Sequence, residues 1–253
     1  MLLTLLHFWL PVLSVLGLAA AVAPSLGPVQ SAPLGALVLA CGVLVVYSGE
    51  RLVEPGRVPR PLRGPLWAVV GAAVVIALWC TWQTPRRLLP VALLLGMLSV
   101  GYELAKRHPL AKTCSLTCAW WLGCTVLPFE LSLESWQTWR LLCAPGPLSM
   151  ALSVAAGAIL CDHKDTNADQ MTGVRSVPAV LGTDLTIFLT SLLSFGAVWL
   201  AIQAGGTALC LCAFSMLTLS PLVRLVAQPL WGPLLVDAAL AVPGLAMWWF
   251  GAY

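Results

Sequence analysis

The residues best suited to chemistry are three aspartates within one short polar stretch. Asp162, Asp165 and Asp169 are spaced i, i+3 and i+7, so on a helix they would share one face. Three like charges on one face repel each other, and in an apolar setting each would take up a proton unless a positive partner lies among them. A divalent cation is the simplest such partner. The spacing therefore predicts a cation at this stretch.

A second acidic pair occurs far upstream. Glu50 and Glu54 are four residues apart, and together with Tyr47 they repeat the 0, +3, +7 spacing of the aspartates. If both acidic groups lie on one side of a membrane, they can face each other and hold one or two Mg²⁺ ions, which typically take one or two carboxylates plus phosphate oxygens. The alternative is that the two glutamates only balance nearby arginines in a hydrated loop.

Basic residues follow a similar distribution. Tyr102 and Lys106 are one helical turn apart and Lys112 comes six residues later. Arg51 lies between Glu50 and Glu54, and Arg175 follows the three aspartates. Cations placed in this way can neutralise a diphosphate leaving group. The alternative is topological, because basic residues also keep loops in the cytoplasm.

The elements that must position these residues are membrane helices. The chain is 60% hydrophobic and only 9% charged, and its mean hydropathy is +0.92. Soluble domains carry about a quarter charged residues, so the composition indicates an integral membrane protein. Since apolar runs recur along the whole length, we expect an all-α fold in a single polytopic domain over residues 1–253. A bilayer core requires roughly 20 apolar residues per helix. Nine windows of this kind are predicted, at about 2–22, 33–49, 65–82, 88–105, 113–130, 141–161, 184–204, 206–223 and 231–251. The sixth and ninth contain prolines, Pro145, Pro147 and Pro243, which are expected to kink these helices without ending them.

The charges predict the orientation of these helices. With nine spans the loops alternate between the two sides, which places ten Lys and Arg residues on the side of the N-terminus and three on the other. By the positive-inside rule the N-terminus is cytoplasmic. The first 27 residues lack the basic start of a signal peptide, so they are predicted to form the first span of a multi-pass protein, with a cell inner membrane as the expected location.

Several other classes of protein are disfavoured. The nine cysteines lie almost entirely within apolar runs, so no disulfide framework is indicated. A net charge of +3 is too small to suggest a nucleic-acid partner. Asp237 is the one ionisable residue near the middle of a predicted span. A carboxylate at such a place can mark an ion path, or it can be paired with a backbone or hydroxyl group.

At this point the residues resemble a known family. The pattern that opens at Asp162, continues through Asp165, Asp169 and Gly173, and ends in Ser176-Val-Pro178 and Leu-Gly182 resembles the second aspartate-rich motif of the UbiA-type intramembrane prenyltransferases. The segment from Tyr102 to Lys112, followed by Trp120 or Trp121 and Leu127-Pro128, is similar to that family's tyrosine and lysine segment. Nine helices with charged cytoplasmic loops also match the family.

The resemblance implies a function. It implies Mg²⁺-dependent transfer of a prenyl group from an isoprenyl diphosphate to a hydrophobic, aromatic acceptor within the bilayer, at an active site on the cytoplasmic side. The carboxylates of Asp165 and Asp169 would be metal ligands, with Asp162, Glu50 and Glu54 completing the catalytic site. The residues implied to bind the substrate are Tyr47, Arg51, Tyr102, Lys106, Lys112 and Arg175.

The first motif departs from the family pattern. Family members usually carry Asn-Asp-x-x-Asp after the second helix, whereas Glu50 and Glu54 stand here without the Asn. Two alternatives therefore remain open. One is a membrane-bound terpene cyclase of the same fold, in which the substrate's own double bonds capture the cation. The other is a transporter or non-catalytic binding protein that uses the acidic cluster for cations.

Overall fold

The protein is an all-helical bundle. The computed structural model describes residues 2–27, 32–53, 58–84, 86–105, 108–166, 171, 175–228 and 231–250. Within these residues the α-helices are α1 (Leu2–Val22), α2 (Pro33–Val53), α3 (Arg60–Gln83), α4 (Leu89–Ala105), α5 (Pro109–Val126), α6 (Trp136–Leu142), α7 (Pro145–Asp162), α8 (Val177–Ala204), α9 (Thr207–Leu219), α10 (Val223–Val226) and α11 (Gly232–Trp249).

The long helices follow the predicted windows. Nine of the helices in the described part of the chain have at least 13 residues, and each overlaps one window. Six of the segments are long and apolar enough to cross a membrane, judged by length and composition, and two shorter helices are also apolar. The chain is therefore an integral, multi-pass membrane protein, while nine crossings remain a prediction.

Two boundaries differ from expectation for physical reasons. Pro145 and Pro147 were expected to kink the sixth span, but they lie in the first turn of α7. In a first turn the backbone N–H that proline lacks would have no partner within the helix, so proline does not disturb it. Helix α8 begins at Val177, seven residues before the predicted window, because Pro178 lies in its first turn, where proline favours the start of a helix. Pro243 does lie inside α11, as expected.

Helix α1 is the central element of the bundle. It packs against α2, α5, α7, α9 and α11, and its residues Val15, Leu18 and Val22 are fully buried. The main core continues through Met150 on α7 and Met216 on α9. A helix that is apolar on all sides and buried in this way holds its neighbours in fixed relative positions.

The outer faces are apolar, as a lipid-facing surface requires. Helix α8 carries an exposed row of large side chains spaced alternately three and four residues apart, so the row follows one helical face. The residues of this row are Leu185, Phe188, Leu192, Phe195, Trp199 and Ile202. Because water would disfavour so large an apolar surface, its exposure indicates contact with lipid.

The crossing of α1 and α11 depends on glycine. A Cβ at Gly17 would overlap the Ala241 carbonyl oxygen, and a Cβ at Gly244 would overlap the Gly17 carbonyl oxygen. The two backbones are therefore in direct contact. Small residues permit this close packing between membrane helices, where dispersion forces replace the hydrophobic effect.

Substitution of Gly17 tests this crossing. We expect Gly17→Val to lower the stability of the purified protein by about 1–3 kcal/mol, because the added methyl groups must push α11 away. Thermal unfolding in detergent measures the effect. The control is Gly42→Val in α2, where a Cβ would meet no atom within 4 Å. Equal melting temperatures for the two variants would show that the crossing is not tightly packed.

Candidate functional site

The acidic stretch lies at the end of α7. The α-helix ends at Asp162 and continues as a 3-10 turn over His163–Asp165. Side chains at i and i+3 eclipse each other in 3-10 geometry, so Asp162 and Asp165 project to the same side. Asp169, the third aspartate of the predicted stripe, lies outside the described residues. The structure thus places two of the three aspartates at one end of the bundle.

Asp162 forms an ion pair across the bundle. The Lys112 ammonium Nζ lies 2.7 Å from Asp162 Oδ1, and the two side chains are only 11% and 13% exposed. Lys112 comes from the first turn of α5, so the contact joins two chain segments 50 residues apart. A charge-assisted hydrogen bond with so little solvent is stronger than a surface ion pair. A lysine predicted to bind diphosphate is therefore held by a carboxylate predicted to bind metal.

A second ion pair lies within the acidic turn itself, between neighbouring residues. The Lys164 ammonium lies 3.3 Å from Asp165 Oδ2, and the side chains are 17% and 38% exposed. Lys164 was not among the residues predicted to bind the substrate. Its sequence position between two aspartates offered a signal, because a cation inside an acidic stretch has an obvious local partner.

The end of α2 carries Tyr47, whose ring contacts Trp120 of α5, and Arg51, which is hydrogen-bonded to α1. The rings of Tyr47 and Trp120 are in edge-to-face contact, with centroids 6.2 Å apart and planes at 75°. Trp120 is buried, so this ring contact is shielded from water. Arg51 donates from Nη1 to the His7 carbonyl oxygen of α1 at 2.8 Å. Two of the predicted substrate-binding residues are thus fixed against neighbouring helices.

The remaining predicted residues are only partly brought into this region. Tyr102, at the end of α4, lies within electrostatic range of Tyr47. Glu50 is partly buried on α2, and Arg175 is exposed just before α8. Glu54 and Lys106 lie outside the described residues.

Asp237 belongs to the same end of the bundle. The predicted ninth window begins at 231 and α11 begins at Gly232, so Asp237 lies five residues from the start of the helix. Its carboxylate is within electrostatic range of Arg51 and Lys164. The hydroxyl of Ser14 donates to the Asp237 backbone carbonyl and not to its carboxylate. The signal in the sequence was its isolation in an apolar helix, where an ionisable residue is functional by default.

The donor chemistry suits a hard divalent cation. Carboxylate oxygens are the ligands of Mg²⁺, which usually takes one or two of them together with phosphate oxygens and water. Asp162 and Asp165 offer such a pair on one side of the 3-10 turn. Among the described residues, no three acidic, histidine or cysteine side chains form a metal-binding group. The described carboxylates therefore fit a cation that shares its coordination with a phosphate ligand.

The turn after the acidic stretch is fixed by a glycine. Gly182 has φ 74° and ψ 174°, a conformation that essentially only glycine adopts, and it interrupts α8 after its first turn. The Thr186 hydroxyl donates to the Gly182 carbonyl at 2.6 Å, which satisfies a backbone group freed by the interruption. Gly182 therefore separates the first turn, residues 177–181, from the rest of α8.

Substitution of Gly182 by alanine tests this turn. We expect Gly182→Ala to destabilise the protein by about 1–3 kcal/mol, because alanine is strained at this φ and ψ. A Cβ at Gly182 would meet no atom within 4 Å, so the cost comes from the backbone and not from a clash. The matched control, Gly71→Ala on α3, has an equally open position without a positive φ and should be neutral or stabilising. Thermal unfolding in detergent compares the two. Equal shifts would contradict a conformational role for Gly182.

Known structures share the whole of this architecture. A UbiA homolog from Aeropyrum pernix K1, in its apo form, aligns with a TM-score of 0.64 and 19% identity over 92% of this chain and 97% of its own. A UbiA homolog from Archaeoglobus fulgidus, bound to Cd²⁺, aligns with a TM-score of 0.56 and 13% identity over 96% and 98%. The chain has the UbiA fold. A digeranylgeranylglyceryl phosphate synthase shares it with a TM-score of 0.50 and 14% identity over 96% and 99%.

Comparison of the amino-acid sequence gives no match of this kind. No protein-family model matches the chain, and no curated protein matches it either. The structural likeness at 13–19% identity therefore establishes the fold, which extends over almost the full length of each of these structures. Function has to be argued from the site.

Proposed function

We propose that the protein is an intramembrane prenyltransferase, which moves a prenyl group from an isoprenyl diphosphate to a hydrophobic, aromatic acceptor with Mg²⁺ as cofactor. One observation supports this most: at one end of a UbiA-fold bundle, Asp162 forms an ion pair with Lys112 of α5, and Asp165 forms one with Lys164 of the acidic turn itself. Carboxylates for a metal and cations for a diphosphate are the two components that diphosphate cleavage requires.

The two components have separate tasks. Asp162 and Asp165, with Asp169, Glu50 and Glu54 in support, would hold Mg²⁺, and the ion would supply positive charge that stabilises the leaving diphosphate. Lys112, Lys106, Arg51 and Arg175 would bind the same diphosphate through charge-assisted hydrogen bonds. These interactions strengthen as the leaving group gains charge, so they favour the transition state over the bound substrate.

The reaction is a substitution at the allylic carbon. The bond between the first prenyl carbon and the diphosphate oxygen breaks, and the diphosphate leaves with the electron pair. The nucleophilic atom of the acceptor forms the new bond to that carbon and then loses its proton. The apolar helices would exclude water from the allylic cation, and the ring pair of the partly buried Tyr47 and the buried Trp120 would provide aromatic surface near the charged end.

Unpartnered polar atoms provide places for an acceptor to bind. Buried atoms without a hydrogen-bond partner in the described part of the chain include Ser48 Oγ on α2, Trp121 Nε1 on α5 and Ser176 Oγ before α8. Buried polar atoms in native proteins are rarely left without partners, so such atoms are candidates for hydrogen bonds to a ligand or to water. Ser176 is also the hydroxyl residue of the second motif. We propose that it contacts the substrate.

The orientation of the site is part of the proposal. The charged end of the bundle faces the cytoplasm, so the soluble diphosphate leaves into water while the prenyl chain stays among the helices. The charge distribution over the predicted loops supports this orientation.

Product analysis tests the proposed reaction. Purified protein in nanodiscs is incubated with geranylgeranyl diphosphate and Mg²⁺, with and without a panel of aromatic acceptors. We expect a prenylated acceptor and inorganic diphosphate only when an acceptor is present. Release of a hydrocarbon or alcohol without any acceptor would instead assign the protein as a terpene cyclase. Absence of all cleavage would remove the enzyme proposal.

A further inference from the structure

Helix α5 carries three buried polar atoms that have no hydrogen-bond partner in the described part of the chain. They are Thr117 Oγ1, Trp121 Nε1 and Thr125 Oγ1. The three residues are four apart, so they form one row along the helix, which we name the α5 row. Buried polar atoms of native proteins rarely lack partners, so the α5 row needs partners that the described chain does not supply.

Thr113, one turn before the row, has the usual arrangement of a helical threonine. Its hydroxyl donates to the Pro109 carbonyl oxygen, four residues earlier on α5, at 3.3 Å. A threonine in a helix can satisfy its hydroxyl in this way without any other partner. Thr117 and Thr125 do not, although Thr125 is completely buried. Their hydroxyl donors are therefore not used by the helix and are open to another molecule.

The row faces the interior of the bundle. Cys124 follows Thr117 by seven residues and Trp121 by three, so it shares their face of α5. The Cys124 thiol donates to the Val15 carbonyl oxygen of α1, the central helix, at 3.5 Å. The side chain of Trp121 packs against the main core. A molecule that contacts the row would therefore lie among the helices and not in the surrounding lipid.

The row begins close to the charged end of the bundle. Lys112, which lies 2.7 Å from Asp162, precedes Thr117 by five residues on the same helix. At 1.5 Å per residue this is about 8 Å along the helix axis, and Thr125 is about 12 Å further on. The row thus leads from the proposed diphosphate site into the apolar interior.

We propose that the α5 row is the acceptor subsite, in which Thr117 and Trp121 donate hydrogen bonds to oxygen atoms on the aromatic ring of the acceptor; the inference rests on the proposed prenyltransferase function. The two donors are about 6 Å apart along the axis, so they can bind oxygens on opposite sides of one ring. Thr125 continues the row for an acceptor with a further oxygen.

The donor chemistry sets the selectivity of the subsite. An indole N–H can only donate, so Trp121 requires a hydroxyl, carbonyl or ether oxygen on the ligand. A ring without oxygen would leave buried donors unpaired, which a site built from hydrogen-bond donors rejects. An oxygen held at Thr117 also orients the ring toward the charged end, where the prenyl carbon separates from the diphosphate. The hydrocarbon chain of a cyclase substrate could not use these donors.

Binding of 1,4-dimethoxynaphthalene to the full chain in nanodiscs tests the subsite by calorimetry. The matched compound is 1,4-diethylnaphthalene, which has nearly the same shape but no oxygen. Empty nanodiscs provide the blank, because both compounds partition into lipid. We expect Thr117→Val and Trp121→Phe each to weaken binding of the dimethoxy compound, relative to the diethyl compound, about three- to tenfold, the range for one neutral hydrogen bond.

The control variant is Thr113→Val. It makes the same substitution on the same helix, but the hydroxyl that it removes is already bonded to Pro109. We expect its relative affinity for the two compounds to equal that of the wild type. An equal loss in Thr113→Val and Thr117→Val would show that threonine supports α5 and does not contact the ligand, which would overturn the proposal.

A second measurement needs only the wild-type protein. The chain has 12 tryptophans, whose indole N–H resonances can be followed by NMR after ¹⁵N labelling. We expect one of these resonances to move when the dimethoxy compound is added and not when the diethyl compound is added. If no indole resonance distinguishes the two compounds, Trp121 does not bind a ligand oxygen and the proposal fails.

The failure of this inference differs from the failure of the proposed function. Mg²⁺-dependent binding of inorganic diphosphate is measured on the same samples and should be unchanged in Thr117→Val and Trp121→Phe. Unchanged relative affinities in both variants, with diphosphate binding intact, would overturn the α5 row and leave the prenyltransferase proposal standing. Wild-type protein that binds no diphosphate would remove the proposed function, and with it the assignment of the row to an acceptor.

Discussion

Replacing Lys112 with glutamine is expected to change the affinities for metal and for diphosphate in opposite directions. The Lys112 ammonium is 2.7 Å from Asp162, and both side chains are almost entirely shielded from water. A cation that binds Asp162 has to displace this ammonium. Without Lys112 the carboxylate loses its ammonium partner in a poorly solvated place, so it should attract a metal ion more strongly. The diphosphate, however, loses a donor.

Both effects can be measured separately. Affinity for Mn²⁺ alone is expected to rise by about tenfold, and affinity for inorganic diphosphate in the presence of Mg²⁺ is expected to fall by about 10- to 100-fold, the range for a hydrogen bond to a charged group. Calorimetry on the purified protein gives both values. The control is Arg140→Gln, which removes an exposed cation on α6 and should change neither affinity. A fall in both affinities would show that Lys112 supports the fold and does not exchange partners.

The second large effect is expected from the acidic turn. Asp162→Asn combined with Asp165→Asn should lower Mg²⁺-dependent cleavage of geranylgeranyl diphosphate by about 100-fold or more, because electrostatic stabilisation of a leaving group contributes about 10²–10³ in rate. The substitutions keep the size of the side chains, so the turn His163–Asp165 should persist. Release of inorganic diphosphate from the purified protein measures the rate.

Two comparisons sharpen this result. Asp184→Asn changes an exposed aspartate of α8 and should retain the wild-type rate. Glu50→Gln with Glu54→Gln tests the altered first motif. A strong loss would indicate that both acidic groups support cleavage, whereas an unchanged rate would mean that the acidic turn alone supplies the carboxylates. Wild-type activity in the double aspartate variant would contradict the assigned role of the turn.

The helical architecture was predictable because it depends on local composition. Apolar runs of sufficient length predicted the nine long helices, since a bilayer requires them whatever their neighbours are. Pro145 and Pro147 show where this reasoning fails. A proline in an apolar window is compatible both with a kink inside a helix and with the first turn of a helix, and composition does not distinguish the two. The structure places both at the start of α7.

The identity of the charged residues in the site was also partly predictable. Asp162, Asp165 and Lys112 were singled out by type and spacing, and the structure brings them to one end of the bundle together with Tyr47 and Arg51. Their pairing was not predictable. The contact between Lys112 and Asp162 spans 50 residues and depends on how α5 packs against α7, which no local pattern reports.

The surroundings of Asp237 in the bundle were likewise not predictable from the sequence. Its sequence neighbours are apolar, and its place in the bundle follows from the packing of α11 against α1, which no local pattern reports.

The central claim is that the charged end of this UbiA-fold bundle binds a metal ion and an isoprenyl diphosphate together. The most direct test is the binding of geranylgeranyl diphosphate to the wild-type protein in nanodiscs, measured with Mg²⁺ and again with a chelator. We predict tight binding with Mg²⁺ and binding weaker by about 100-fold or more without it, because the ion supplies much of the charge that holds the diphosphate. Equal binding under both conditions, or no binding in either, would contradict the claim.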